Sequence, residues 1–231
     1  MRAPDPAAPV SVVIPFLDEE RALPGTLEAL FAQEGRFEAI AVDGGSRDAS
    51  RAALARHPAV RVIEAPRGRA SQMNAGAAAA RGGLLLFLHA DGRLPAGAIA
   101  RLTRLAEAQP EVWGGFRHLF DPNDWRLRLV SRLHNLRCGL TGAFYGDQAM
   151  FVGRRLFERA GGFPDRLMED IALSERLLRR RRPVFLDLSV RSDPRKFVHM
   201  GVWRSLGRVA LILALDRLGL PYPKAFFRNV R

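Results

Sequence analysis

The chain is expected to be an α/β protein built on a doubly wound, Rossmann-like sheet, and three observations carry that expectation. Strand-like and helix-like segments alternate over roughly the first ninety residues. The strand segments are continuous apolar runs, as in parallel strands covered on both faces. The acids Asp18, Glu19, Asp43 and Asp91 fall at the carboxyl ends of those runs, where open α/β sheets bind their ligands.

Val10 to Phe16 (VSVVIPF) is the first strand, β-branched, with Pro15 near its end. Residues 19–33 follow as a helix with Leu23, Leu27, Leu30 and Phe31 on one face. A second strand over 37–42 runs into Asp43-Gly44-Gly45-Ser46, where Ser46 is a candidate N-cap for a helix through Ala55. A third strand at 60–64 and an alanine-rich helix at 70–80 lead to a fourth strand at 84–88. That strand ends on His89-Ala90-Asp91-Gly92. The second half is less regular: helix at 95–108, strand at 113–120, helix at 124–137, a short strand at 148–152, helix at 169–181 and strand at 184–190. An amphipathic helix over 201–218 follows, and Pro221 and Pro223 interrupt it.

A chain of 231 residues, 48% hydrophobic and 26% charged, can bury a full core as a single compact domain or as a domain with an added C-terminal element. That composition argues against disorder. Cys138 is the one cysteine, which excludes an internal disulfide and a cysteine cage for a metal and fits a reducing cytoplasm. The first ten residues, MRAPDPAAPV, read as a short disordered leader rather than a signal peptide. The longest apolar runs, at 84–88 and 209–215, fall far short of the ~20 residues of a spanning helix.

The net charge of +12 is uneven. Residues 176–231 hold fourteen Lys and Arg against three Asp, so the last quarter carries eleven of the twelve charges. Such asymmetry fits an anionic partner, whether membrane, nucleic acid or phosphorylated substrate; it fits equally a proteome that favours arginine.

Five segments in order, SVVIPFLDEE, VDGGSRD, GRASQMNAG, FLHADG and GGFPDRLMEDIALSERL, resemble the motifs of family 2 glycosyltransferases. Each is weak alone, but the ordered set spans 10–188, most of the chain. The resemblance implies a GT-A fold, a Rossmann-like three-layer sandwich, with a nucleotide-diphospho-sugar donor, Mg2+ or Mn2+, and inversion at the anomeric carbon. It also implies a transferase domain over 9–190, with a donor half at 9–92 and an acceptor half at 93–190. The basic amphipathic element at 191–231 would follow.

Site residues follow segment by segment. Pro15 ends the first strand, so Asp18 and Glu19 lie in the turn above the sheet, and resemblance gives Glu19 the nucleoside; acids complementing a helix dipole would look the same. Where the family often has Asn-Glu, this chain has Asp18-Glu19-Glu20. Resemblance places Asp43 at the nucleobase, with Gly44 permitting close backbone approach; Asp-Gly is also an ordinary turn pair. Arg69 is expected near the diphosphate, a role Arg67 suits equally, and Asn74 near the sugar or its phosphate.

His89-Ala90-Asp91 stands where the family has Asp-x-Asp. Asp91 is the expected metal ligand, hard oxygen for a hard cation. His89 replaces the first acid, and imidazole suits Mn2+ better than Mg2+; a strand-end histidine bonding backbone is the alternative. His199 is a further candidate ligand, by resemblance to members that complete the metal site with a late histidine.

Resemblance makes Asp170 the catalytic base, which removes the acceptor's proton, with Glu169 supporting it; acids opening a helix are the plain alternative. Asp147 and Gln148 are expected on the acceptor side. Trp113 is expected in the acceptor pocket or in the core.

The expected function is therefore metal-dependent inverting transfer of a sugar from a nucleotide-diphospho-sugar to an acceptor hydroxyl. A lipid-linked acceptor at the inner membrane face would suit the basic tail, in which Trp203, Leu206, Val209, Ala210, Leu213 and Leu218 mix with Arg204, Arg208 and Arg217, then Lys224, Phe226, Phe227 and Arg228. Docking of that tail on its own domain or on a dimer partner suits it equally. A nucleotide- or sugar-binding regulatory protein on a degenerate transferase fold is the alternative, motivated by His89. No nucleic-acid module is recognised, and the first strand lacks the glycine-rich loop of a nucleotidyltransferase or a dinucleotide oxidoreductase.

Overall fold

The computed structural model describes residues 9–122, 124–218 and 220. Its centre is a parallel unit of four strands, β1 (Val10–Phe16), β2 (Phe37–Asp43), β3 (Val60–Glu64) and β4 (Leu84–Phe87), with β1 between β2 and β4. β5 (Gly92–Arg93), β6 (Trp113–Phe120), β7 (Phe151–Gly153) and β8 (Val184–Ser192) extend it to eight strands in the order β3-β2-β1-β4-β7-β6-β8-β5. β7 runs antiparallel to both β4 and β6, β8 parallel to β6, and β5 antiparallel to β8.

Side-chain alternation along the strands divides the core in two. Val10, Val12, Ile14 and Phe16 of β1 pack with α1 (Leu23–Phe31) and α4 (Ala98–Ala108). Val13, with Ile40, Leu85 and Phe87, packs with α3 (Arg69–Ala79) and α7 (Glu169–Leu178). The sheet is thus covered on both faces, the three-layer arrangement expected from the continuous apolar strands. α3 sits close on β1 because Gly76 has no side chain: a Cβ there would stand 2.3 Å from Val13 Cγ1.

Helix boundaries depart from expectation where polar turns intervene. α1 starts at Leu23 rather than at Glu19, because Asp18 takes a left-handed φ of 53° and Glu19 accepts turn hydrogen bonds from Ala22 and Leu23. Ser46 does not cap a helix; its hydroxyl donates to Asp43 at 2.7 Å, and α2 (Ser50–Ala55) begins later. α5 (Trp125–Thr141) is capped by Asp124, which accepts from the Leu127 amide at 2.9 Å, and it runs four residues beyond the expected end to left-handed Gly142. α6 (Arg154–Arg159) follows β7.

β8 continues to Ser192, and α8 (Arg195–His199) and α9 (Val202–Arg217) follow it. These two helices dock on the domain: Val202 of α9 joins Phe120, Leu127 and Val130 in a small core, with Phe197 and Leu206 against it. The expected leader up to Ala8, the side chains of Leu213 and Arg217, and Pro221, Pro223, Lys224, Phe226, Phe227 and Arg228 lie outside the described residues.

Candidate active site

A cleft of about 600 Å³ opens at the carboxyl ends of β1 and β4, lined by residues 15–19, 67–70, 72, 89–91 and 165–170. It gathers Pro15, Glu19, Arg69, His89, Ala90, Asp91, Glu169 and Asp170 from segments far apart in the chain. Asp43, Gly44, Asn74, Asp147, Gln148, Trp113 and His199 do not line it.

The turn at its floor is locked by side chain to backbone bonds. Asp18 accepts from the Arg47 amide at 2.8 Å, Glu20 from Ala49 at 3.0 Å, and the Glu19 amide donates to Ser50 Oγ at 2.8 Å. Glu19 is buried, and its carboxylate is paired with Arg195 of α8, so the C-terminal element reaches the β1 end of the cleft. Gln72, which sequence inspection passed over, lines the cleft and donates to the Phe16 and Val42 carbonyls at 2.7 and 2.9 Å. It ties the ends of β1 and β2 together, and a Cβ on Gly44 would meet its amide at 3.0 Å.

Asp43 is almost fully buried and turned toward its own loop. Its Oδ1 accepts from Gly45, Ser46 and the Ser46 hydroxyl, and its Oδ2 meets Arg51 Nε at 2.6 Å. Burial pushes this carboxyl up, but the Ser46 and Gly45 bonds and Arg51 hold it below the ordinary carboxylate range. Its residue type is that of a base-binding acid, while its geometry is that of a turn anchor.

Asn74 likewise serves the fold beside the cleft. Its amide oxygen accepts from the Phe163 amide at 2.9 Å and its amide nitrogen donates to the Phe163 carbonyl at 2.8 Å. This two-point clamp holds the Gly161-Gly162-Phe163 loop that leads into α7. Arg69, exposed on its outer part, opens α3 and stands 3.9 Å from Glu169.

Asp170 is the most perturbed acid of the cleft. Met168 takes a left-handed φ of 57°, which turns Glu169 and Asp170 inward as the first residues of α7. Asp170 Oδ2 accepts from the Gly146 amide at 2.6 Å and Oδ1 from its neighbour Ile171 at 2.8 Å. Burial, then the neighbouring Glu169 charge, raise its pKa from 3.8 to about 7. A carboxylate so tuned exchanges protons near neutral pH, which suits a general base. Gly146 must be glycine here, because a Cβ would lie 2.3 Å from His89 Nε2.

His89 and Asp91 both line the cleft, whereas His199 is exposed at the end of α8 and does not join them. Among the described residues no three His, Cys, Asp or Glu side chains gather in a metal-holding cluster. The cleft is nonetheless anionic. Among its lining residues are six acids, Asp18, Glu19, Asp91, Asp165, Glu169 and Asp170, and three arginines, Arg67, Arg69 and Arg166, with Arg195 of α8 paired to Glu19.

Of the residues expected on the acceptor side, Trp113 is fully buried, donates to the Arg181 carbonyl at 2.8 Å and packs edge-on against Phe144. Gln148 is also fully buried, accepting from the Tyr145 amide at 3.1 Å and donating to the Phe116 carbonyl at 3.3 Å. Both hold the wall rather than the opening. Asp147 lies behind Gly146, 3.4 Å from His134 and 3.8 Å from His118. Burial pushes His134 down to about 4, so it is neutral at pH 7. His118 is buried and shares a 2.7 Å hydrogen bond with Ser192. This polar cluster was missed because its members come from β6, α5, the 146–148 turn and β8, with no local motif to mark them.

Comparisons with known proteins identify the family and the fold. Residues 11–164 match the profile of the family described as Glycosyl transferase family 2. An uncharacterized glycosyltransferase of Mycobacterium tuberculosis (strain ATCC 25618 / H37Rv) is 38% identical over 40% of this chain and 41% of its own. The undecaprenyl-phosphate 4-deoxy-4-formamido-L-arabinose transferase of Pseudomonas aeruginosa (strain UCBPP-PA14) is 38% identical over 58% of this chain and 42% of its own. The chain thus spans about two fifths of the length of these curated relatives. Among solved structures, a mannosyltransferase from Pyrobaculum calidifontis in complex with GDP-Man and Mn2+ superposes with a TM-score of 0.68 at 21% identity, over 98% of this chain and 69% of that one. Staphylococcus aureus TarS superposes at 0.65 with 15% identity, over 94% and 67%. The fold is that of GT-A glycosyltransferases.

Proposed function

The chain belongs to glycosyl transferase family 2, and from that premise we propose that it is an inverting transferase, moving a sugar from a nucleotide-diphospho-sugar to an acceptor hydroxyl. The observation that carries the proposal is Asp170: buried in the cleft, oriented by the Gly146 amide, and raised to about 7.

In this mechanism the acceptor oxygen forms a bond to the anomeric carbon while the bond from that carbon to the diphosphate breaks. The acceptor's proton passes to the Asp170 carboxylate, and the nucleoside diphosphate leaves with the bonding electrons. Glu169 keeps Asp170 basic by repulsion, and Arg69 balances the pair from the cleft edge while facing the diphosphate. The Asn74 clamp on Phe163 and the left-handed Met168 hold the base in place.

Even with Glu19 paired to Arg195 and Asp170 raised to about 7, the remaining acids of the lining, Asp18, Asp91, Asp165 and Glu169, oppose a diphosphate carrying about two negative charges, which Arg67, Arg69 and Arg166 only partly offset. A divalent cation would offset this charge, and Asp91 would hold it as a hard oxygen ligand. When bound, Mg2+ or Mn2+ would neutralise charge on the departing diphosphate. His89, against Gly146, would border that position.

The Pseudomonas relative is named for a lipid-linked substrate, and we extend that class to the acceptor here, with peripheral action at the inner face of the cell membrane. No helix of the described residues is long and apolar enough to cross a membrane.

The test is a screen of UDP- and GDP-sugars for release of nucleoside diphosphate with Mg2+ or Mn2+, paired with calorimetry of the nucleotides. Metal-dependent release supports the proposal. Tight nucleotide binding with no release from any sugar would instead support a binding protein on a degenerate transferase fold.

A further inference from the structure

α5 is apolar on two opposite faces. Leu127, Val130 and Cys138 turn inward and are buried. On the other side Trp125, Leu129, Leu133, Leu136 and Leu140 recur at spacings of four, four, three and four. At about 100° per residue they fall within an arc of about 80°. All five are exposed, from 39% at Leu129 to 79% at Leu140. A solvated helix face of 17 residues does not carry an unbroken leucine stripe without a partner.

The stripe continues on α9. Trp203 and Leu211 are exposed there, and the Trp125 and Trp203 rings lie 6.4 Å apart, joining the two helices into one apolar surface. Arg126, Arg128 and Arg132 on α5, and Arg204 on α9, are exposed along its borders.

We propose that this joint face of α5 and α9 is a membrane-docking surface that lies in the interfacial layer of an anionic phospholipid bilayer. Leucines of this arc would enter the acyl boundary, the tryptophan pair would sit at headgroup level, and the bordering arginines would meet lipid phosphates. A second copy of the chain is the less favourable occupant, because a two-fold contact sets each bordering arginine opposite the same basic border of its partner. The location also serves the site. The inner side of α5 carries His134, 3.4 Å from Asp147, beside the Gly146 amide that holds Asp170. One helix thickness, about 10 Å, therefore separates the lipid face from the acceptor side of the cleft. The inference deepens the lipid-linked acceptor of the proposed function and rests on that reading only for the acceptor, since docking itself follows from the surface.

The experiment is co-sedimentation of the full chain with vesicles of phosphatidylcholine, with and without phosphatidylglycerol. The variant carries Leu133→Ser, Leu136→Ser and Leu140→Ser, all at exposed positions, with its fold checked by circular dichroism. The wild type is expected to pellet with the anionic vesicles, and the variant to bind them at least about tenfold more weakly. Hydrolysis of a soluble nucleotide sugar is expected to be equal in the two. The docking proposal is overturned by a wild type that stays in the supernatant, by undiminished binding of the folded variant, or by a dimer in sedimentation velocity that the three substitutions abolish. Absent hydrolysis alongside intact vesicle binding would sink the transferase proposal while upholding the docking surface.

Discussion

Replacing Asp170 by Asn removes a charge while keeping the shape, and its consequences can be worked out in both rate and stability. The amide oxygen can still accept the Gly146 N–H that reaches Oδ2 at 2.6 Å, while the amide nitrogen cannot accept the Ile171 N–H that reaches Oδ1 at 2.8 Å, so one of the two backbone bonds is lost. The variant cannot take a proton from an acceptor, and loss of a general base costs about 10²–10⁴-fold in turnover. Nucleotide affinity should hold, because the substitution leaves Asp91 and the floor of the cleft untouched. Stability moves the other way. The wild-type carboxyl sits at about 7 in the folded chain against 3.8 ordinarily, so between those values the folded state holds a proton that the unfolded state has released. Wild-type stability from this group is therefore full below about 4 and falls as pH rises through about 7. The ceiling on that loss is about 4 kcal/mol, and relaxation at a cleft-lining position together with the lost Ile171 bond brings the expected gain for Asp170→Asn at high pH to about 1 kcal/mol. At about 2–4 °C per kcal/mol, the variant should melt higher than wild type at pH 8, and the difference should close toward pH 4. Transfer kinetics and melting scans across this range are the assay. Normal turnover by Asp170→Asn would refute the base, and a pH-independent melting difference would refute the raised pKa.

Three further outcomes follow from the same geometry. Asp91→Asn should reduce the Mn2+-dependent part of nucleotide affinity by about tenfold or more, read by calorimetry with and without the ion; an unchanged metal effect would remove Asp91 as a ligand. Asn74→Ala deletes both bonds to Phe163 and should lower stability by about 1–3 kcal/mol, with turnover falling more than nucleotide affinity; an unaltered melting curve would show that the loop holds without the clamp. Gly146→Ala places a methyl 2.3 Å from His89 Nε2 and 3.6 Å from Asp170 Oδ2. It should lower turnover at least about tenfold through the displaced base, and wild-type kinetics would show that the contact is slack.

The parallel strands and the cleft at their carboxyl ends were legible in sequence, because buried parallel strands must be apolar throughout and acids at their ends stand out against them. The roles of individual polar residues were harder to read. Asp43 and Asn74 lie in the motifs beside Arg69, Asp91 and Asp170, yet the fold turns both toward loop backbone and leaves the other three in the cleft. Trp113 and Gln148 are at home in the wall because each finds a backbone carbonyl to donate to. The short strand β5 and helices α6 and α8 carry too few residues for any periodicity to emerge.

By itself, then, the amino-acid sequence determined the layered α/β architecture and the segments that meet at the strand ends, since hydrophobic period and turn chemistry are local properties of the chain, and the resemblance of five ordered motifs pointed to the family. Only the tertiary structure decided which acid is buried beside which, and hence that Asp170 is tuned to about 7. It likewise brought His118 and His134 to Asp147, and Arg195 to Glu19. It also left one of the two apolar faces of α5 exposed among the described residues. Burial and proximity depend on contacts between distant segments, and they alone separate a turn acid from a base and a core helix from a docking surface.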